Sequence, residues 1–351
     1  MLLLGIYCLF ASAAKSKVWL YLQTFVVAGS LLNLAALAAV VLRYAFNYGS
    51  VFFFGETSLR LSGLMHNPNQ YGGYLVVLLA IQLAAVAFAK PMFGRRWIDV
   101  ANVVALFLGS IFTISRGSWL ATLAGALAVP IASRAAGSKV PRHKQILAPA
   151  SVAACVIVVL LVARSGGLWP ALQRSPSLEI TKDSPTIYFP RGTPTLSEYL
   201  RVASDPSGAA DRLAITRTAL QLYATSPSTL ALGLGLGGFS EIAPTTNLKS
   251  NVIIHNSFLW ALVELGPLGA LCLAGIFYAA LRRLWRAVRA RADESAASAA
   301  LFAGLIGVLA WCMSNDGAYQ RHLWFLLGLT AATITTSKPT PAPRRPAAEN
   351  L

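Results

Sequence analysis

The residues of this sequence that could do chemistry are few: four histidines, several arginines at the edges of apolar runs, and a carboxylate, Glu264, deep inside such a run. His143 falls in a basic stretch and reads as solvated, whereas His66, His255 and His322 fall near the ends of apolar runs. A neutral imidazole accepts a proton near pH 7, so each of these three is a candidate general base as well as a candidate hydrogen-bonding group at an interface. Arg116 lies in Ser115-Arg116-Gly117, between two apolar runs with almost no loop. An arginine at bilayer depth costs about 2.5–3.5 kcal/mol on insertion scales, so Arg116 either snorkels to the interface, pairs with an anion, or lines a wet cavity. Arg212 and Arg217 fall in DRLAITRTALQLYA, residues 211–224. That pattern suits a short amphipathic helix on a membrane surface, where an arginine fork donates bidentate hydrogen bonds to phosphate.

Glu264 sits in LVELGPLG, residues 262–269, and a carboxylate buried there needs a partner. It follows His255 by nine residues, which puts the two on opposite faces of a regular helix, unless Gly266-Pro267 kinks it and changes the phase. Glu264 therefore reads as a helix-packing or arginine-pairing group rather than a catalytic one. Gly233–Gly238 carries a GxGxxG spacing, but no βαβ unit surrounds it, and a tight turn that brings backbone close to a membrane-surface substrate is the better reading. Trp169, Tyr188, Phe189 and Tyr199 are suited to stacking on sugar rings or to anchoring at the interface. No HxxxH spacing and no Cys or carboxylate set at metal-ligand spacing occurs, so no metal site is expected. Cys8, Cys155, Cys272 and Cys312 each lie within an apolar run and form no CxxC pair.

The elements that must position these residues are membrane spans. Of the 351 residues, 56% are hydrophobic and 12% charged, against about 25% charged in soluble domains. Apolar runs near or above the ~18-residue length of a span occur at Leu2–Ala14, Val18–Leu42, Tyr71–Ala89, Trp97–Ser115, Gly117–Ser133, Ile146–Ala163, Asn256–Leu281, Ser298–Ser314 and Leu323–Thr336, the first and last being short. A net charge of +16 would point to nucleic acid in a soluble chain. Here the basic residues cluster between apolar runs. Odd connections and the tail hold seventeen Lys and Arg, and the short even ones hold only Arg43, Arg60, Arg116 and Arg321. That asymmetry places the odd side in the cytoplasm and excludes nucleic acid as the explanation.

The expected fold is an all-α polytopic membrane protein of about nine transmembrane helices with one large outer loop. Residues 1–163 would hold helices one to six, 164–255 the outer loop with its amphipathic helix, 256–337 helices seven to nine, and 338–351 a Pro- and Ala-rich cytoplasmic tail. Parity puts the present N-terminus outside, so the bundle is expected to be N-terminally short, with upstream spans preceding it.

Five segments, in order, resemble the O-antigen ligase and polymerase superfamily of bacterial envelope glycosyltransferases. They are Leu64 to Asn69 with its Asn-Pro-Asn, Ser115-Arg116-Gly117, Arg212 to Phe239, His255-Asn256 to Leu259 with Glu264, Gly266 and Gly269, and Asn315 to Gly328 with Arg321 and Trp324. Together they cover about residues 60–330, and Thr216 stands where the family usually has tryptophan. The resemblance implies a GT-C-like glycosyltransferase bundle in the inner (cytoplasmic) membrane. Its donor would be a glycan on undecaprenyl diphosphate and its acceptor a hydroxyl of a glycan, lipid or protein. Arg116 and Arg212 would neutralise the diphosphate, assisted by Arg217 or Arg321. His255 would act as the base, with Glu264, His66 and Asn256 in support. Transfer would invert the sugar, the outer loop would close as a lid, and no metal or cofactor would be needed. Within the family, a ligase, a repeat-unit polymerase and a protein O-oligosaccharyltransferase all fit. Outside it, a secondary transporter or flippase of an anionic lipid or solute remains the competing class, although no internal repeat is visible.

Overall fold

The computed structural model describes residues 2–46, 60–65, 67–138, 140–164, 207–243, 253–290 and 295–333. Every regular element among them is helical: α1 (Leu2–Ala11), α2 (Val18–Phe46), α3 (Pro68–Ala87), α4 (Arg96–Phe112), α5 (Arg116–Ala135), α6 (Arg142–Arg164), α7 (Ser207–Tyr223), α8 (Pro227–Leu232), α9 (Gly238–Ile242), α10 (Ser257–Arg289), α11 (Ser295–Cys312) and α12 (Arg321–Ala332), with short 3₁₀ turns at Lys15–Lys17, Gly63–Met65 and Gly317–Tyr319. Trp169, Tyr188, Phe189 and Tyr199, His66 and the tail lie outside the described residues.

The bundle is built around α3, α5 and α11, whose side chains are buried almost throughout α3 and α11. Small residues let these three approach closely. A Cβ on Gly307 of α11 would lie 2.7 Å from Val76 Cγ1 of α3 and 3.4 Å from the Ala121 carbonyl of α5. This is membrane-type packing, where close van der Waals contact replaces the hydrophobic drive available in water. Around the core, apolar stripes face outward: Val100, Val104 and Leu108 on α4, Leu120, Leu127 and Ile131 on α5, and Leu268, Leu271 and Tyr278 on α10. Such a surface is a liability in water and the matched surface in lipid.

Several polar groups inside the bundle are bonded to one another. Tyr71 Oη donates to Asn33 Oδ1 at 3.1 Å, and Asn33 Nδ2 donates to the Ala105 carbonyl at 2.8 Å. Gln82 Nε2 and the Met92 amide both donate to Asp99 Oδ1, at 2.7 and 2.9 Å.

Among the described residues four helical segments, Lys15–Leu42, Pro68–Ala87, Ser257–Arg289 and Ser295–Cys312, are long and apolar enough to cross a membrane. The chain is thus a polytopic helical membrane protein. The ten residues of α1 and twelve of α12 are shorter than a ~20-residue crossing. They pack on each other instead, with Gly328 against the Tyr7 carbonyl.

Candidate active site

The site grows from the ends of α4, α7, α10 and α11. Between α4 and α5 the chain reverses in three residues. Ile114 takes φ +50°, a left-handed conformation that costs a β-branched residue on the order of 1–3 kcal/mol. The turn is held by Thr113 Oγ1, which donates to the Ser110 carbonyl at 2.7 Å and accepts from the Ser115 amide at 3.2 Å. Trp119 Nε1 also reaches the Ser110 carbonyl, at 3.0 Å. Arg116 is then the first residue of α5, and Ser115 makes no side-chain cap bond. Arg116 therefore sits at the positive end of the helix dipole, and the two add in attracting an anion.

At α10, Asn256 is the N-cap. Its Oδ1 accepts from the amides of Phe258 and Leu259, both at 3.0 Å, which satisfies donors that a helix start leaves orphaned. This explains the residue pair: Asn256 starts the helix, so His255 lies just before it rather than on it. Next in the chain, buried Ser257 donates to the Asn315 carbonyl at 2.9 Å and accepts from the Ala318 amide at 3.3 Å. That pair fixes the start of α10 to the loop between α11 and α12. The same loop touches α5, because a Cβ on Gly117 would collide with Ser314 Oγ.

Arg212 Nη1 donates to the Ser314 carbonyl at 3.1 Å, which brings α7 to that loop as well. On α7 the face bearing Ile215, Ala219 and Leu222 packs against Phe239, Ile254 and Val263, while Leu213 and Leu220 are exposed. Leu213, Ile215, Leu220 and Leu222, the four apolar residues expected on one membrane-facing side, are thus divided between two sides, and the inner one covers protein. Arg217 is about 140° around from Arg212 at 100° per residue; it is exposed and is not brought to the cluster.

Electrostatically, Arg116, Arg212, His255 and Asp316 form one group. Burial, then the Arg212 charge, hold the His255 pKa below the ordinary histidine value, while Asp316 pulls it back up. Burial, then Arg116, lower the Arg212 guanidinium, again opposed by Asp316. At pH 7 His255 is therefore a neutral imidazole, the form able to take a proton, and its Nδ1 has no hydrogen-bond partner among the described residues. Asp316 did not stand out in the sequence. The available signal was a lone carboxylate between two apolar runs, in Asn315-Asp316-Gly317.

Glu264 has a different task. The chain breaks the helical φ/ψ pattern at Gly266 (φ +71°), just before Pro267, which frees the carbonyls of Val263 and Glu264. The glycine-rich turn satisfies both: Leu234 N donates to Val263 O at 2.8 Å and Gly235 N to Glu264 O at 3.0 Å. Glu264 Oε2 accepts from Gly237 N and Trp260 Nε1, both at 2.8 Å. A Cβ on Gly233 would stand 2.5 Å from the Glu264 carbonyl oxygen. The turn expected to offer its backbone to a substrate spends these donors on α10 instead, because the break there exposes acceptors that must be paired. Glu264 is a packing group, bonded to an indole and an amide rather than to an arginine.

Arg321 and His322 border a cavity of about 820 Å³, lined in its apolar part by Phe10, Phe25 and Phe325 and at a polar rim by Gln70 and Gln320. His322 is buried beside Trp311 and Tyr74, with ring centroids 5.8 and 6.1 Å away. The 3₁₀ turn at Gly317–Tyr319 joins this cavity to the cluster, since Tyr319 lines the cavity and packs on Trp260 at 5.0 Å.

No curated protein matches the chain. A protein-family model, O-antigen ligase, matches residues 101–274, from α4 past the break in α10. The match includes Arg116, Arg212, His255 and Glu264, and ends before Asp316 and Arg321. Helices, outward apolar stripes and the family match together support the O-antigen ligase and polymerase superfamily.

Proposed function

We propose that the protein transfers a glycan from an undecaprenyl-diphosphate-linked donor to an acceptor hydroxyl at the outer face of the inner membrane. The observation that carries this reading is the meeting of Arg116 and Arg212 with a neutral His255. In the reaction His255 takes the acceptor's proton, and the acceptor oxygen attacks the anomeric carbon from the face opposite the leaving group. The bond from that carbon to the diphosphate oxygen breaks, and the electron pair leaves with the diphosphate, so the sugar inverts. The two guanidiniums stabilise that developing charge and supply the electrostatic work a metal does elsewhere. The phosphates also face the start of α5, where the helix dipole adds to the arginine. The apolar cavity bordered by Arg321 suits the donor's lipid chain, so on this reading Arg321 meets the lipid rather than the reacting bond. The acceptor is a hydroxyl of a glycan, a lipid or a protein, and the outer segment 164–255 acts as the lid.

Broken helices like α10 also occur in transporters. There the freed carbonyls line a substrate path, whereas here the glycine turn occupies them. The test is transfer by protein reconstituted in lipid, supplied with a lipid-diphosphate glycan, with and without EDTA. Transfer that resists EDTA and is lost in His255→Ala and Arg212→Ala supports the reading. Undiminished transfer by His255→Ala removes the base, and passage of donor across the bilayer without bond exchange favours transport.

A further inference from the structure

We propose that Arg60 is a positioning residue for Arg116: it clamps the turn from which Arg116 emerges. This rests on the reading that Arg116 binds a diphosphate. The last carbonyls of α4 need partners that the helix cannot supply, and residues 60 and 61 supply them in sequence. Leu61 N donates to Phe112 O at 2.8 Å. Arg60 Nε donates to Thr113 O at 2.9 Å, and its Nη2 reaches Ile114 O at 3.4 Å and Asn69 Oδ1 at 2.7 Å.

One guanidinium therefore ties the end of α4 to the first turn of α3. That turn is itself ordered by Asn67, whose Oδ1 accepts from Asn69 N at 2.8 Å and Gln70 N at 3.4 Å. A planar fork with five donors can hold three acceptors, two in the turn after α4 and one on α3, and a lysine's single ammonium cannot reproduce that geometry.

The clamp matters because of what it holds. Ile114 is strained at φ +50°, and such a conformation persists only where its surroundings over-determine it. Only Ser115 separates Ile114 from Arg116, and Ser115 contributes no side-chain cap that would fix the helix start by itself. Without Arg60, the peptide after Ile114 can relax and swing the base of the Arg116 side chain. Displacements of about 1 Å at a reacting site cost on the order of 100-fold.

The experiment titrates undecaprenyl diphosphate against the full chain in lipid nanodiscs. Arg116→Ala is expected to weaken binding on the order of 10- to 100-fold, the size of a lost charge-assisted pair. Arg60→Ala is expected to weaken it about 10-fold, and Arg60→Lys to recover only part of that. The decisive variant is Arg60→Ala/Arg116→Ala, expected to bind no more weakly than Arg116→Ala alone, because Arg60 acts through Arg116. Losses that multiply, or wild-type binding by Arg60→Ala, overturn the proposal. Should Arg116→Ala bind like the wild type, the diphosphate reading fails instead, and hydrogen exchange over residues 112–118 judges the clamp. Faster exchange in Arg60→Ala then supports the clamp, and unchanged exchange sinks it. If Arg60→Ala does not fold, Asn69→Ala removes one of the three acceptors. An expected loss of about 3-fold should then vanish in the Arg116→Ala background, and its persistence there overturns the proposal.

Discussion

Replacing Glu264 tests whether it latches the glycine turn or takes part in the reaction. Its Oε2 accepts two bonds, from Gly237 N and Trp260 Nε1, each at 2.8 Å, in a buried setting. Bonds to a charged acceptor contribute about 1.5–3 kcal/mol each and neutral ones about 0.5–1.5. Glu264→Gln keeps an oxygen in place and no longer buries a charge, so the gross loss of about 2–3 kcal/mol is partly offset. A net destabilisation of about 1–2 kcal/mol is expected. Glu264→Ala leaves both donors unpaired, at about 1–3 kcal/mol each, so about 2–6 kcal/mol together. The assay is amide hydrogen exchange over residues 233–238, read beside glycan transfer. Glu264→Gln should exchange slightly faster and keep most of its activity, whereas Glu264→Ala should lose protection and activity together. Abolished transfer in Glu264→Gln with the turn still protected would refute the latch and assign Glu264 to the chemistry.

The pH dependence of transfer should follow His255. Its depressed pKa keeps the base form at neutral pH and confines its protonation to the acid side of the ordinary ~6.5. The kcat/KM profile should therefore fall only below that value, and Asp316→Asn, which removes the group raising this pKa, should move the limb to still lower pH. The limb of kcat should lie at higher pH than that of kcat/KM. Arg212→Ala should reduce kcat by about 10²–10³-fold, the usual effect of removing one charge-stabilising donor, while Arg217→Ala should stay within about 2-fold, because Arg217 lies on the outward side of α7. Gly307→Leu should lower thermal stability in detergent by about 1–3 kcal/mol through overpacking against Val76 and Ala121. Gly275→Ala, whose Cβ would meet nothing within 4 Å, is the neutral control.

What the sequence made legible was local. Asn256 reads as a helix start and Gly266-Pro267 as a break, because caps and prolines act within a few residues. Basic clusters and apolar runs likewise read as membrane helices. Arg217 could have been separated from Arg212 by helical phase alone, since five residues turn a side chain to another face. The partners of Glu264 were not legible, because the amide and indole that satisfy it depend on how the 233–238 turn docks on the broken helix. Arg60 counted only as one charge among twenty-nine, since its value lies in three oxygens, two in the turn after α4 and one on α3. The length of α1 also differs from the expected span at Leu2–Ala14: apolar composition continues past Ala11, and hydropathy does not detect where a helix stops.

The cluster reconciles two demands that oppose each other. A leaving diphosphate needs positive charge nearby, but the same charge depresses a neighbouring imidazole and makes it a poorer base. In the free protein burial and the Arg212 charge depress the imidazole, and Asp316 offsets part of it. On the proposed function, a diphosphate settling on the guanidiniums would cancel much of the Arg212 field at His255. The imidazole's affinity for a proton would then rise toward its unperturbed value as an acceptor hydroxyl is to be deprotonated. On that reading donor binding strengthens the base. That order of events separates the two pH limbs, since kcat/KM reports the free protein and kcat the loaded one. On the same reading Asp316 needs no contact with substrate: it would keep the imidazole of the unloaded site from becoming too weak a base to respond.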